Sequence, residues 1–97
     1  MIDALSTGKF RLYIAGDAPN SRRAVANLTA FCNRYLPNRH HIEIVDVFEH
    51  PKRALEEGIL LTPLLVIASA SPAKRIVGDL TDSSVLLGAL GIAAGAS

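Results

Sequence analysis

The segment between residues 10 and 48 constrains the fold more than any other feature, because its hydrophobic pattern changes from that of a strand to that of a helix and back. Large apolar residues occupy every second position from Phe10 to Ile14, which predicts a strand that ends near Gly16. Apolar residues then recur at helical spacing from about Ser21 to Leu36. Ile42 to Phe48 is rich in β-branched residues and predicts a second strand. Two strands joined by a helix pair in parallel, so the segment predicts a βαβ unit and an α/β fold.

The second half of the chain contains a short helix and two further strands. Pro51 suits the first turn of a helix, and Gly58 suits its end. The apolar run from Leu64 to Ala68 predicts a buried strand, and the segment from Lys74 to Val77 predicts another.

The last apolar segment, Val85 to Ile92, fits two structures. It could form a helix that Asp82 or Ser83 caps. It is apolar on all sides, however, and Gly88 weakens a helix by about 0.5 to 1 kcal/mol relative to alanine. A strand is equally compatible with the pattern.

Length and composition predict one folded domain over residues 1–97, with residues 1–8 and 93–97 as flexible ends. Hydrophobic residues make up 49% of the chain, which is too apolar for a disordered protein. Apolar runs are shorter than the roughly 18 residues that span a membrane, and a cytoplasmic protein is predicted. The net charge of +1 favours neither nucleic acid nor an anionic membrane as a partner.

Residues that could carry catalysis or bind metal are few. Cys32 is the one cysteine and lies on the predicted apolar face of the first helix, so a structural role is favoured over a reactive thiol. His40, His41 and His50 lack a third ligand at a defined spacing, and exposed loop histidines are favoured over a metal site. Asp46 is expected to accept hydrogen bonds from loop backbone. We therefore predict no catalytic residues, no metal and no cofactor.

Two basic pairs, Arg22 with Arg23 and Lys74 with Arg75, are candidate partner-binding residues. Isolated pairs of this kind are commonly solvated and contribute little. In a binding module they could orient an acidic partner surface. Both interpretations are compatible with the sequence.

Four separated blocks of the sequence run from Leu12 to Ser21, from Ile44 to Val47, over Thr62 and Pro63, and from Arg75 to Leu80. Where a thioredoxin opens its first helix with two cysteines, this chain has Ala18-Pro19-Asn20-Ser21. Pro63 precedes a predicted strand, as the cis-proline of thioredoxins does, and either a cis or a trans bond is compatible with that position. Together, over about Phe10 to Leu90, these blocks resemble the KaiB family of circadian-clock proteins.

The resemblance implies a non-enzymatic circadian or clock-like regulator that binds the ring of a KaiC-type ATPase. A KaiA-like protein or a histidine kinase would be further partners. It also implies two folds: a rare monomeric thioredoxin-like βαβαββα form that binds the ATPase, and a ground-state βαββααβ form that assembles into a homo-oligomer, a tetramer or a dimer. Arg23 and Arg75 match basic residues implicated in clock interactions, beside Arg22 and Lys74.

The proposed switch between the two folds would involve the second half of the chain, where Pro63, Pro72 and Gly88 are the candidate residues. Two lysines of cyanobacterial members are replaced here, by Glu43 and Gly58. These departures indicate a divergent member of the family. Two alternatives are a KaiC-binding module like the sensor domain of the kinase SasA and, less favoured because of the missing cysteines, a thioredoxin-like oxidoreductase.

Overall fold

The computed structural model describes residues 7–92, and it has the thioredoxin-like order βαβαββα. The fold class predicted from the sequence is therefore confirmed, in the first of its two alternative arrangements. The elements are β1 (Gly8–Ile14), α1 (Pro19–Tyr35), β2 (His40–Asp46), α2 (Pro51–Glu56), β3 (Leu64–Ile67), β4 (Lys74–Val77) and α3 (Ser83–Leu90).

The strands form a four-stranded sheet in the order β2-β1-β3-β4. β1 pairs with β2 in parallel, as the helical crossover requires, with Gly8 opposite His40 and Ile14 opposite Asp46. β3 is antiparallel to both β1 and β4. The two edges of the sheet are therefore β2, in the first half of the chain, and β4, in the second half.

The core lies on both faces of the sheet because side chains alternate along each strand. On one face, Phe10, Leu12 and Leu65 pack against α1 and α3, which contribute Leu28 and Leu86 among others. On the other face a smaller cluster packs near α2, and its buried members are Tyr13, Val45, Leu64 and Val66.

Three elements begin earlier than their sequence patterns indicate, and α1 and β2 are two of them. α1 starts at Pro19, since proline suits the first turn of a helix. Ser21 is thus inside the helix, where its buried hydroxyl accepts a hydrogen bond from the N–H of Ala15 at 3.1 Å. β2 starts at His40 and ends at Asp46, whose carboxylate accepts the N–H of Phe48 at 2.9 Å and turns the chain.

The first strand also begins early, at Gly8, whose N–H donates to the carbonyl of Arg39 at 2.9 Å. Residue 8 thus belongs to the sheet rather than to a flexible end. The other residues predicted to be flexible fall largely outside the described range, which leaves out residues 1–6 and 93–97.

The ambiguous apolar segment is helical. The Asp82 side chain caps α3 by accepting the N–H of Ser84 at 3.0 Å. Gly91 follows the helix with a φ of 71°, the left-handed conformation that glycine adopts most readily. Among residues 7–92, no helix combines the length and apolar character that a membrane crossing needs.

Candidate functional site

The basic residues singled out in the sequence lie on more than one surface. Lys74 and Arg75 are neighbours in β4, so they project from opposite faces of the sheet. The ammonium group of Lys74 donates to the carbonyl of Ala89 in α3 at 2.7 Å. Arg75 donates to the backbone carbonyl of Glu57, whose carboxylate lies 3.7 Å from the guanidinium. The pair is divided between the α3 side and the α2 side of the molecule.

Arg23 connects the start of α1 to the loop that leads into α3. Its Nε lies 3.4 Å from Oδ2 of Asp79, and its guanidinium also contacts the side-chain oxygen of Asn20. One turn along the helix, Asn27 donates to the backbone carbonyl of Asp79 at 2.9 Å. Hydrogen bonds from Thr81, followed by the contact with Arg23, lower the pKa of Asp79. Arg23 therefore has a structural contact as well as an exposed side chain.

Arg22, the residue before Arg23 in α1, is exposed and forms no ion pair within residues 7–92. It borders a shallow cleft of about 280 Å³ at the N-terminus of α1, together with Ile14, Gly16 and Val25. The cleft adjoins the segment where a thioredoxin carries its cysteines.

A group of charged residues on the α2 side of the sheet was not singled out from the sequence. We call it the α2-face network. Oε1 of Glu43 accepts hydrogen bonds from Arg53 at 2.8 Å and from Arg11 at 3.1 Å. Arg11 also donates to Glu57 at 3.0 Å, and Glu57 in turn pairs with Arg75. The network joins β1, β2, α2 and β4, and its members are Arg11, Glu43, Arg53, Glu57 and Arg75.

The network fixes the charge of Glu43. The hydrogen bond from Arg53, with a further one from Arg11, lowers the pKa of Glu43 from 4.5 to about 2.

Close to the network lies Tyr13, a fully buried residue whose hydroxyl has no hydrogen-bond partner among the described residues. Burial raises the pKa of Tyr13, and the nearby charge of Glu57 contributes in the same direction.

The three candidate switch residues lie just before β3 (Pro63), in the loop between β3 and β4 (Pro72) and in α3 (Gly88). The Thr62–Pro63 bond is cis, and the carbonyl of Pro63 accepts the N–H of Gly78 at 2.9 Å at the start of the strand. The Ser71–Pro72 bond is also cis and follows the strand. Ser71 and Gly88 both line a cavity of about 380 Å³ between the end of β3 and α3.

The remaining chemical candidates have ordinary structural surroundings. Cys32 is fully buried in the core, and burial raises the pKa of its thiol to about 11. Asp46 accepts the N–H of Gly16 at 3.2 Å, so its predicted hydrogen bond to loop backbone is confirmed. Nδ1 of His40 lies 2.8 Å from the carbonyl of Leu36. Residues 7–92 contain no group of three or more histidines, cysteines or acids that could hold a metal ion.

Comparison with protein families places most of this chain in one of them. Residues 11–92 match the KaiB domain. The chain is 43% identical over 79 residues to the circadian clock protein KaiB3 of a Synechocystis species, covering 80% of this chain and 78% of that protein. It is 37% identical over 89 residues to the circadian clock oscillator protein KaiB of Nostoc punctiforme, covering 91% and 86%.

Comparison with solved structures agrees on the fold. The solution structure of the N-terminal domain of SasA from Synechococcus elongatus superposes with a TM-score of 0.73 at 18% identity, over 100% of this chain and 95% of that one. Chloroplastic thioredoxin z superposes with a TM-score of 0.72 at 19% identity, over 89% and 80%. At these identities the likeness supports the thioredoxin-like fold alone.

Proposed function

The chain belongs to the KaiB family, and from that premise we propose that it is a non-enzymatic clock regulator that binds the ring of a KaiC-type ATPase. The observation that carries the proposal is a KaiB chain in a thioredoxin-like arrangement whose redox position holds Ala18 to Ser21 instead of cysteines. Such a scaffold offers a surface for a partner. It offers no dithiol for electron transfer.

Thiol chemistry is disfavoured further by Cys32. A disulfide exchange needs an accessible thiolate, whereas this thiol is buried and its pKa is raised to about 11. The oxidoreductase alternative therefore lacks a nucleophile within the described residues.

The second candidate is a KaiC-binding module like the sensor domain of SasA. The two share a thioredoxin-like fold, and that shared fold is the observation behind this candidate. The sequence identity of 37% to 43% with KaiB proteins, against 18% with the SasA domain, favours a KaiB-type regulator. Under either function the ATPase ring is the principal partner, and a KaiA-like protein or a histidine kinase is a further one.

Binding is tested with the KaiC homologue encoded in the same genome. The two proteins are incubated for a day with ATP or with ADP and separated by size-exclusion chromatography. We expect a complex under at least one nucleotide condition. No complex under either condition would contradict the proposed function.

Charge reversal tests the basic residues within that complex. We propose that Arg75 contacts the partner, so Arg75→Glu should weaken binding by more than about fivefold, beyond the ~1 kcal/mol of an exposed ion pair. The same substitution breaks the contact with Glu57, whereas Glu57→Gln weakens that contact and leaves the charge of Arg75 in place. Binding that falls as far in Glu57→Gln as in Arg75→Glu would assign Arg75 an internal role instead.

Arg22→Glu and Arg23→Glu form a second comparison. Arg22 has no ion pair within residues 7–92, so its reversal reports on the outer surface alone, whereas reversal of Arg23 also removes the contact with Asp79. If both variants bind with the same affinity and the same salt dependence as the parent, Arg22 and Arg23 are solvated charges that do not contact the partner.

A further inference from the structure

The hydroxyl of Tyr13 is buried and has no partner within hydrogen-bond distance among residues 7–92. Buried polar groups in folded proteins are nearly always hydrogen-bonded, because an unmade bond is costly in an apolar interior. A residue of this kind therefore calls for a functional explanation. Its surroundings, the α2-face network, supply one.

Tyr13 adjoins the centre of that network. Tyr13 and Arg11 are two residues apart in β1, so their side chains project from the same face of the sheet. Burial is the largest cause of the raised pKa of Tyr13, and the charges of Glu57 and Arg11 act on that pKa as well. The hydroxyl thus lies close to both charged groups.

The carboxylate of Glu57 lies among three possible donors and satisfies only part of them. Its Oε1 accepts a hydrogen bond from Arg11 at 3.0 Å. Its Oε2 lies 3.7 Å from Nη2 of Arg75, which is too far for a hydrogen bond. Neither oxygen is bonded to the hydroxyl of Tyr13. A group with two oxygens therefore leaves two of the three donors without a close acceptor.

We propose that the α2-face network binds a phosphate group at the position of the Glu57 carboxylate, with hydrogen bonds from Arg11, Arg75 and Tyr13. A phosphate monoester carries about −1.5 to −2 charges at pH 7 and has three strong acceptor oxygens, one for each donor. Guanidinium groups suit phosphate in both charge and geometry. The remaining bond of the phosphorus atom would point to solvent, so a free phosphate ion and the end of a phosphate ester both fit.

The charge of the network favours such a ligand. Its three arginines face two glutamates, which leaves one positive charge in excess before any ligand binds. Glu43 stays with Arg53 and Arg11 in the bound state, since its own hydrogen bonds lie on the β2 side of the network.

Glu57 is placed to give way. Its side chain is 37% exposed, and it follows the last turn of α2. The next residue, Gly58, has no atom within 4 Å of the position of a Cβ, so the chain around Glu57 is loosely packed. Rotation of one side chain into solvent would uncover Arg11, Arg75 and Tyr13. Glu57 is thus an internal competitor of the phosphate group.

Titration of the chain with inorganic phosphate tests the site. The Nε–H signals of the arginines are followed by NMR at pH 7, with chloride exchanged for phosphate at constant ionic strength. We expect saturable shifts of Arg11 and Arg75. Tyr13→Phe should weaken binding about tenfold, because it removes a hydrogen bond to a charged group. Tyr35→Phe is the matched control, since Tyr35 packs on the α1 side of the sheet, and it should keep the parent affinity.

A second variant has an effect of opposite sign. Glu57→Gln removes the competing charge and should tighten phosphate binding about fivefold. Glu56→Gln changes the net charge equally, but Glu56 is exposed and forms no ion pair within residues 7–92, so its effect should be smaller than twofold. The amide spectrum of each variant shows whether it folds, and Glu57→Gln tests the site even if Tyr13→Phe does not.

Glycerol 3-phosphate distinguishes the two sources of the phosphate group. Equal affinity for the ester and the ion would assign the site to a phosphate group on a larger molecule, and binding of the ion alone would assign it to free phosphate. Shifts that rise linearly without saturation, equal affinity in Tyr13→Phe and the parent, or weaker binding in Glu57→Gln would each overturn the proposal. These experiments use the chain alone, so their failure leaves the proposed binding to an ATPase ring untouched.

Discussion

The charge of Glu43 contributes directly to the stability of the fold. Its pKa of about 2 lies below the ordinary 4.5, so its contribution to the free energy of unfolding is complete above about pH 4.5 and is lost as the pH falls towards 2. The side chain is 39% exposed, which limits the contribution through solvent screening. At pH 6 we expect Glu43→Gln to be less stable than the parent by about 0.5 to 1 kcal/mol.

The pH dependence of that difference is the measurement that identifies its cause. Urea unfolding between pH 6 and pH 2 should show the parent and Glu43→Gln converging as Glu43 becomes protonated. Glu56→Gln is the control, since Glu56 is exposed and forms no ion pair within the described residues. A difference between the parent and Glu43→Gln that persists unchanged at pH 2 would point to packing rather than charge.

Tyr13 is a buried residue with an unfulfilled polar group. Its hydroxyl has lost its contact with bulk water, and no described residue lies within hydrogen-bond geometry of it, although the guanidinium of Arg11 is near enough to act on its pKa in the lowering direction. Replacing such a group by an apolar one of the same shape is neutral or stabilising. We expect Tyr13→Phe to raise the free energy of unfolding by up to about 1 kcal/mol. Denaturant unfolding measures this, and a loss of stability would indicate that the hydroxyl has a partner in solution.

At the scale of elements, α3 is the helix whose stability a single substitution should alter most simply. A Cβ at Gly88 would meet no atom within 4 Å, and alanine is a better helix former than glycine. Gly88→Ala should therefore stabilise the protein by about 0.5 to 1 kcal/mol. Gly91 has equally open surroundings but a φ of 71°, which costs other residues energy. Gly91→Ala should destabilise, and thermal unfolding of the two variants should show shifts of opposite sign.

The elements also show what a sequence pattern can and cannot predict. The β1-α1-β2 unit was predictable because its apolar spacing changes from one period to another and back. α3 was not, because the segment from Val85 to Ile92 is apolar on all sides, and only the Asp82 cap and its packing on the sheet make it helical. The α2-face network was missed because its residues are far apart in the chain. Arg11 showed the one available signal, a charge within the alternation of a buried strand.

At the scale of the whole molecule, the second half is held to the first by a buried core and by ion pairs that are exposed or only partly buried. Arg11 with Glu57 and Arg23 with Asp79 connect β1 and α1 to segments beyond residue 56. Exposed pairs contribute about 0 to 1 kcal/mol each. The stability of this arrangement therefore depends chiefly on how well β3, β4 and α3 pack. We therefore expect the conformation of residues 85 to 92 to control the stability of this arrangement.

We propose that residues 51–91 also adopt a second arrangement, in which the segment from Val85 to Ile92 forms a strand. Substitutions at Gly88 distinguish the two arrangements, because alanine favours a helix and valine favours a strand, each by up to about 1 kcal/mol. Gly88→Ala should raise the ratio of the thioredoxin-like form to the other by roughly two- to fivefold, and Gly88→Val should lower it. Amide NMR spectra at several protein concentrations measure the ratio from two sets of signals, and the set of the oligomeric form should grow with concentration. One set of signals in the parent and in both variants, at every concentration, would mean that this chain has a single fold.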